Sequence, residues 1–512
     1  MRLTGIAFGT FAVASLLLQS ASSDEPSKLD PQSPRWSPLV DVIAKVEPAV
    51  VGLFLRDEST GGFQTGSGTI IHPAGYVLTN DHVLSRDDGY AVIGQKATRF
   101  EVVGRMPEKD IAIVRLLYVK GRLPTVPLGQ SNDVHNGEAV VVAGNPGGRG
   151  MTITSGIISS KKTYLDMPNA LIGTQYNLQA RDDFIRFDAA SNRGNSGGPL
   201  VNMDGKVIGI VSRVNPEEQN ASFAIPIDRV RRLFHRVVEP ELRHNRWVGL
   251  SLNPLADVAL VTSVEQGSPA ERAGLQPGDT ITSVEGESVR HAADWALALD
   301  RAFRTSDRFH LVAERRGASL PLNIMTESIP PLKAEKVDDL EEGIAFDLYH
   351  GEFKKLPRFE ELEVSRSGEV TTLDLQEIQA DREDDFALVI NAYLQVPEEG
   401  LYRFQITSDD GSRVFLNDQL FLDHDGNHPP MTVSRLLRAE AGMHPIRIEY
   451  FEGGGHQALT VALAPLDAKS DQAISEAPES SSPQPHIEEK NAKTSVLKWF
   501  RRKNAGEARQ PE

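Results

Sequence analysis

From Val50 to about Val211 the chain is cut into short apolar or alternating runs bounded by Gly, Asn, Asp and Pro. The runs include Ala49 to Leu55, Gly68 to Ile71, Tyr76 to Thr79, Phe100 to Val103, Ile111 to Leu116, Ala139 to Ala143 and Val207 to Val211. Many short strands with frequent turn signals predict an all-β sandwich or a pair of barrels. Helical spacing frames this region: Leu39 to Val46, ended by Pro48, and Val230 to Val238, closed by Pro240.

Within the region, Gly194-Asn195-Ser196-Gly197-Gly198-Pro199 places a serine between glycines. Such a phrase is poorly suited to a helix or strand interior, where each Gly is destabilising. It suits a sharp turn that aims several N–H groups into one small space, as an acyl-transfer serine requires. The bland alternative is a Gly/Asn turn between strands. A nucleophilic serine needs a base and a group to orient that base. His82 stands where the strand Val77-Leu78-Thr79 ends, and Asp110 stands at the mouth of the apolar run Ile111-Ala112-Ile113-Val114. Each alone reads as structural. The order His, Asp, Ser is a far rarer coincidence.

At 512 residues the chain has room for about three domains. The apolar run Ile6 to Leu18 follows Arg2 and leads into small residues, which predicts a signal peptide over 1–22. An uncleaved anchor is the alternative. There is no cysteine, which removes thiol catalysis and fits a bacterial export compartment, with the periplasm first, then envelope or extracellular space. Residues 338–465 hold 26 Asp+Glu against 10 Lys+Arg, so −16 of the net −17 sits there. Neither part supports nucleic-acid binding.

The residues now carry a resemblance. Gly66-Ser67-Gly68, Thr79-Asn80-Asp81-His82-Val83, Asp110-Ile111-Ala112, Gly144-Asn145-Pro146, Asn192 to Pro199 and Phe223-Ala224-Ile225-Pro226 resemble the HtrA/Deg family of chymotrypsin-like serine proteases. The resemblance implies a chymotrypsin-like double β-barrel over 39–240, after a linker at 23–38. It implies His82 as general base, Asp110 holding its tautomer and Ser196 as nucleophile. Gly194, Asn195 and Ser196 would form the oxyanion hole, each backbone donor contributing on the order of 3 kcal/mol. Ser212 would support Asp110, and Arg213 and Val214 would lie on the substrate-pairing strand. Family pockets favour small aliphatic residues; Arg213 and the short acidic loop Asn215 to Asn220 depart from that pattern.

Residues 246–326 resemble a PDZ domain (α+β), with Trp247-Val248-Gly249-Leu250 in the place of the carboxylate-binding loop. One PDZ domain and a short segment between Leu55 and Gly66 favour a homotrimer over large cages. Residues 338–465 resemble a PA14 domain, a β-sandwich that often binds glycans, through phrases such as Val396-Pro397 to Phe404 and Ser408 to Arg413. There Asp409 and Asp410 occupy the place of a calcium-holding pair; the alternative is an Asp410-Gly411 hairpin turn with Asp409 paired to an Arg. Catalysis calls for no cofactor. Residues 466–512 are predicted to be a disordered tail, with a basic aromatic patch at 496–503.

The fold class is therefore mainly β: double barrel, PDZ domain, PA14-like sandwich. The function expected is an exported serine endopeptidase for unfolded or damaged protein, with peptide sensing at the PDZ domain. A chaperone for non-native protein with little proteolysis, or a surface lectin led by the PA14 domain, are the alternatives.

Overall fold

The computed structural model describes residues 33–56, 62–145, 150–164, 183–191, 194–214, 221–379, 384–455, 457–466 and 498–502, without the side chains of 164, 213 and 214. The predicted signal peptide, the Asn215–Asn220 loop and most of the predicted tail lie outside the described residues. No described helix is long and apolar enough to cross a membrane.

Ser37 starts the first helix, α1 (Pro38–Val46), by accepting the Val40 N–H, while Pro38 sits where a helix needs no donor. Six antiparallel strands then close a barrel: β1 (Val50–Arg56), β2 (Phe63–His72), β3 (Tyr76–Thr79), β4 (Asp88–Ile93), β5 (Lys96–Met106) and β6 (Ile111–Leu116). Their order is β1-β2-β3-β6-β5-β4, with β4 returning to β1. A second barrel follows from β7 (Ala139–Gly144), β8 (Thr152–Tyr164), β9 (Asp183–Phe187), β10 (Pro199–Asn202), β11 (Val207–Val214) and β12 (Ser222–Pro226), in the order β10-β11-β12-β9-β8-β7. Closure removes the open edges that short strands would otherwise expose. The expected pair of barrels is what forms.

Helix α2 (Ile227–Val238) packs on β5, where Gly104 is required because any Cβ would overlap the Val237 carbonyl. A short helix, α3 (Pro240–His244), leads into the PDZ sheet. Its parts are β13 (Leu250–Leu252), β14 (Ala259–Val264), α4 (Pro269–Arg272), β15 (Thr280–Val284), β16 (Glu287–Ser288), α5 (Ala292–Thr305), β17 (Arg308–Arg315) and β18 (Ala318–Met325). Helix α5 is two-sided: Trp295, Leu299 and Phe303 enter the PDZ core, while Ala293, Ala296 and Leu297 join the core of the barrels. Between the two units Asp300 is fully buried, 2.6 Å from the Tyr76 hydroxyl, 2.7 Å from Arg243 and 2.9 Å from His244 Nε2. Burial pushes its carboxyl up, but His244, Arg243 and Arg304 outweigh burial and hold it well below the usual range.

The acidic segment forms two sheets. The strands are β19 (Leu340–Glu342), β20 (Ile344–His350), β21 (Arg366–Val370), β22 (Phe386–Val396), β23 (Gly400–Asp409), β24 (Ser412–Leu416), β25 (Gln419–His424), β26 (Met431–Ala439), β27 (Gly442–Glu452) and β28 (Ala458–Pro465), with helix α6 (Leu375–Gln379) after β21. One sheet runs β26-β23-β28; the other is built on β22, β27, β24 and β25. Phe404 and Ile406 of the first face Leu388, Ile390 and Ile448 of the second in one core. The expected sandwich therefore gains one unexpected member. Trp499–Arg502, β29, lies between β19 and β22 in the large sheet, inside what the sequence marks as tail. Trp499 enters the core, and Arg501 meets Glu341 at 2.6 Å and Glu369 at 2.5 Å, so the basic aromatic phrase answers the acidity of the sheet.

Candidate active site

The serine loop is wedged between the barrels. A Cβ on Gly197, whose φ is +84°, would overlap the Ser67 carbonyl and Thr79 Oγ1 of the first barrel. One on Gly198 would overlap the Ala143 carbonyl of the second. Both glycines are there for close approach. Hydrogen bonds complete the wedge: Ser67 N–H donates to the Ser196 carbonyl at 2.8 Å, Gly197 N–H to Val211 at 2.8 Å and Ser67 Oγ to the Gly194 carbonyl at 2.6 Å. This uses the small residues Gly66-Ser67-Gly68 that the sequence singles out. The N–H groups of Gly194, Asn195 and Ser196 donate to no acceptor among the described residues. Gly194 has φ +98°, a value only glycine adopts freely.

His82 lies in a 3-10 turn (Asp81–Val83) directly after β3. Its Nδ1 is 2.8 and 2.9 Å from the two Asp110 oxygens, and its own N–H donates to Asp110 Oδ1 at 3.0 Å. Asp110 is 4% exposed and holds φ +54°, a left-handed conformation that Asp tolerates better than most residues. Asn80 Nδ2 donates to its carbonyl at 3.0 Å. The Ser212 hydroxyl donates to Asp110 Oδ2 at 2.9 Å, and the Ser212 carbonyl accepts from Ser196 Oγ at 3.1 Å. Ser212 sits at a shift of register between β11 and β12, which frees it from regular strand pairing. The structure thus brings His82, Asp110, Ser196 and Ser212 into one cleft between the barrels.

Arg105 is a residue the sequence reading missed. Its guanidinium donates to both oxygens of Asp81, at 2.6 and 3.2 Å, and to the Leu84 carbonyl at 2.7 Å. It therefore ties both ends of the turn that carries His82. The only available signal is a charged Asp81 in an apolar stretch, which calls for a cation somewhere.

Arg213 and Val214 continue β11, with their side chains outside the described residues. β10 pairs with β11 only up to Pro199↔Ile210, while β12 pairs as far as Val214, so residues 212–214 keep one edge unpaired among the described strands. In the PDZ unit Trp247 bridges to Glu327, Val248 and Gly249 lead into Leu250 at the start of β13, and Gly249 has φ +75°. The Val248 and Gly249 N–H groups donate to Glu241, another residue the sequence reading passed over.

In the sandwich, Asp410-Gly411 does not make the hairpin weighed above, because it joins β23 of one sheet to β24 of the other. Asp410 accepts from the N–H groups of His428 at 2.7 Å and Gly453 at 3.0 Å. Burial and the charge of Asp410 push the Asp409 carboxyl up to about 7; burial raises Asp410 to about 6 and Glu452 to about 7. These carboxyls suit a hard cation in donor type. The described residues hold no group of three or more His, Asp or Glu arranged to bind a metal, so a calcium held by Asp409 and Asp410 would draw its remaining oxygens from carbonyls, amide side chains and water.

With this geometry in view, comparisons with known proteins place the chain. Residues 66–210 match a trypsin-like peptidase domain, 260–306 a PDZ domain and 341–477 a PA14 domain. "Serine protease HTRA2, mitochondrial" of Bos taurus is 33% identical over 365 residues, covering 63% of this chain and 76% of that protein. "Serine protease HTRA1" of Xenopus tropicalis is 31% identical over 335 residues, covering 59% and 69%. "Probable periplasmic serine endoprotease DegP-like" of Brucella suis is 32% identical over 282 residues, covering 52% of this chain and 53% of that one, so the match spans about half of such relatives. Fold and site define a trypsin-like peptidase. The chain belongs to the HtrA family within that class, with a PA14 domain at its C-terminal side.

Proposed function

We propose that the chain is an exported serine endopeptidase that cleaves unfolded or damaged protein. The observation that carries this is the hydrogen-bonded run from His82 through Asp110 and Ser212 to Ser196 in the cleft between the barrels. Asp110 holds His82 with Nδ1 protonated, leaving Nε2 as the base. Ser196 Oγ turns from the Ser212 carbonyl toward His82, loses its proton to Nε2 and bonds to the scissile carbonyl carbon. The oxyanion that forms meets the N–H groups of Gly194 and Ser196, beside Asn195. His82 then passes the proton to the leaving amine, and water repeats the sequence to release the acid. An extended substrate adds as a strand along the unpaired edge of residues 212–214.

Export follows from the leader pattern and from relatives named as periplasmic. The PDZ unit takes peptide C-termini, the chain assembles as a homotrimer, and the PA14 domain binds glycan, with calcium at Asp409 and Asp410. Digestion of casein by wild type and Ser196→Ala tests the enzyme reading. The expected loss is at least about a thousandfold. Equal proteolysis by both would leave the alternative of a chaperone standing.

A further inference from the structure

A carboxylate-binding loop works through backbone N–H groups that are open to a peptide's terminal carboxylate. Here two of them are occupied. Val248 and Gly249 both donate to Oε1 of Glu241, at 2.6 and 3.2 Å. Glu241 belongs to α3, which precedes the loop and lies outside the PDZ sheet. No Lys or Arg is paired with its carboxylate among the described residues; the basic group beside it is His235, whose Nε2 is 3.9 Å from the other oxygen and which burial holds toward its neutral form. Burial pushes the Glu241 carboxyl up, and the Val248 and Gly249 N–H groups offset part of that, so the carboxyl sits on the loop in the manner of a bound ligand.

The remainder of α3 is fastened to α5. Arg243 and His244 both reach Asp300 of α5, at 2.7 and 2.9 Å, and the His244 ring lies edge-on to Phe303. Helix α5 is buried at every position from Ala293 to Asp300. Strand β13, by contrast, is an edge strand paired only with β14 among the described strands. The loop N–H groups are therefore taken by α3, while β13 still offers an unpaired edge for pairing.

We propose that Glu241 is the resident ligand of the PDZ loop, an internal carboxylate that a peptide C-terminus must displace in order to bind. The inference rests on the PDZ reading above. A peptide C-terminus offers the carboxylate that Glu241 supplies and, in addition, an extended backbone for β13, so it replaces the cap and adds a strand. Displacement releases only the Glu241 end of α3; its other end stays on Asp300, which also meets Tyr76 of β3, the strand that leads to His82.

The test uses the full chain carrying Ser196→Ala, so that the probe survives. The probe is a fluorescent pool of heptapeptides randomised at the last three positions, with either a free C-terminal carboxylate or an amide. Glu241→Ala is expected to bind the free-acid pool at least tenfold more tightly than the chain with Glu241, and the amide pool is expected to bind neither. Glu241→Gln, which keeps the shape and a neutral acceptor, is expected to fall between them and serves as the readout if the alanine variant fails to fold. Equal carboxylate-dependent binding with and without Glu241 overturns the cap and leaves the PDZ reading intact. Absence of any preference for the free acid in every variant overturns the PDZ reading itself.

Discussion

Burial alone would push the Asp110 carboxyl up, yet the charge and N–H groups of His82 and the Ser212 hydroxyl hold it below the ordinary range. Its folded value is thus depressed. The stability it contributes is present above the unfolded value, about 4, and is lost as pH falls through the folded one. Its two kinds of partner should separate in kinetics. Asp110→Asn keeps the shape but upsets the His82 tautomer, and should lower kcat by about 10⁴. Ser212→Ala removes one hydrogen bond, about 1 kcal/mol, and should lower kcat only about fivefold. Initial rates of casein cleavage at saturating substrate distinguish them; a Ser212→Ala loss as deep as that of Asp110→Asn would make Ser212 more than a support. Single residues of this site were legible because each stands in a local phrase: Asn80 to Val83, Asp110 before an apolar strand, Ser196 among glycines. Arg105 was not, since its bonds to Asp81 and Leu84 span more than 20 residues and leave no local pattern.

Among elements, legibility followed periodicity. Alternation and turn residues marked runs in seven of the twelve barrel strands, β1, β2, β3, β5, β6, β7 and β11, and the glycines of 194–198 gave away a tight turn, though not what it is tight against. The structure supplies the reason at Gly197: Ser67 and Thr79 from β2 and β3 occupy the space where a Cβ would stand, and φ is +84°. Gly197→Ala must therefore both strain the backbone and push the barrels apart. It should cost about 2–4 kcal/mol of stability and lower activity with it. A urea midpoint unchanged from wild type would show that the loop relaxes without loss. Strand β29 escaped the sequence reading for the opposite reason. Trp499–Arg502 is too short to show a period and follows a stretch rich in Ser, Pro and Glu, so its place is set by partners more than 100 residues away: Tyr393, Leu394 and the acidic edge of β19.

Over the whole molecule the charge is lopsided, and the consequence lies in the C-terminal sandwich. Burial raises Asp409, Asp410 and Glu452 to about 7, 6 and 7, and the charge of neighbouring carboxylates adds to the rise at Asp409 and Glu452. At the contact with the protease unit, burial raises Glu239 to about 7 as well, although Arg435 lies 3.5 Å away. All four folded values exceed the unfolded value of about 4. Between those limits the folded chain holds protons that the unfolded chain has released, so stability falls as pH rises from about 4 to about 7 and levels off above that. Thermal unfolding should therefore show a higher midpoint for the C-terminal transition at pH 5 than at pH 8, and Asp409→Asn should flatten the difference. A cation that neutralised the pair would do at pH 8 what protons do at pH 5. Calcium should then raise the wild-type midpoint at pH 8 in proportion to the logarithm of its concentration, and EDTA should reverse the gain. A midpoint that follows pH but ignores calcium would assign the carboxyls to proton-linked packing and remove calcium from the sandwich. A midpoint that ignores both would mean that solvent reaches Asp409 and Glu452 more freely than their packing beneath Tyr450 allows.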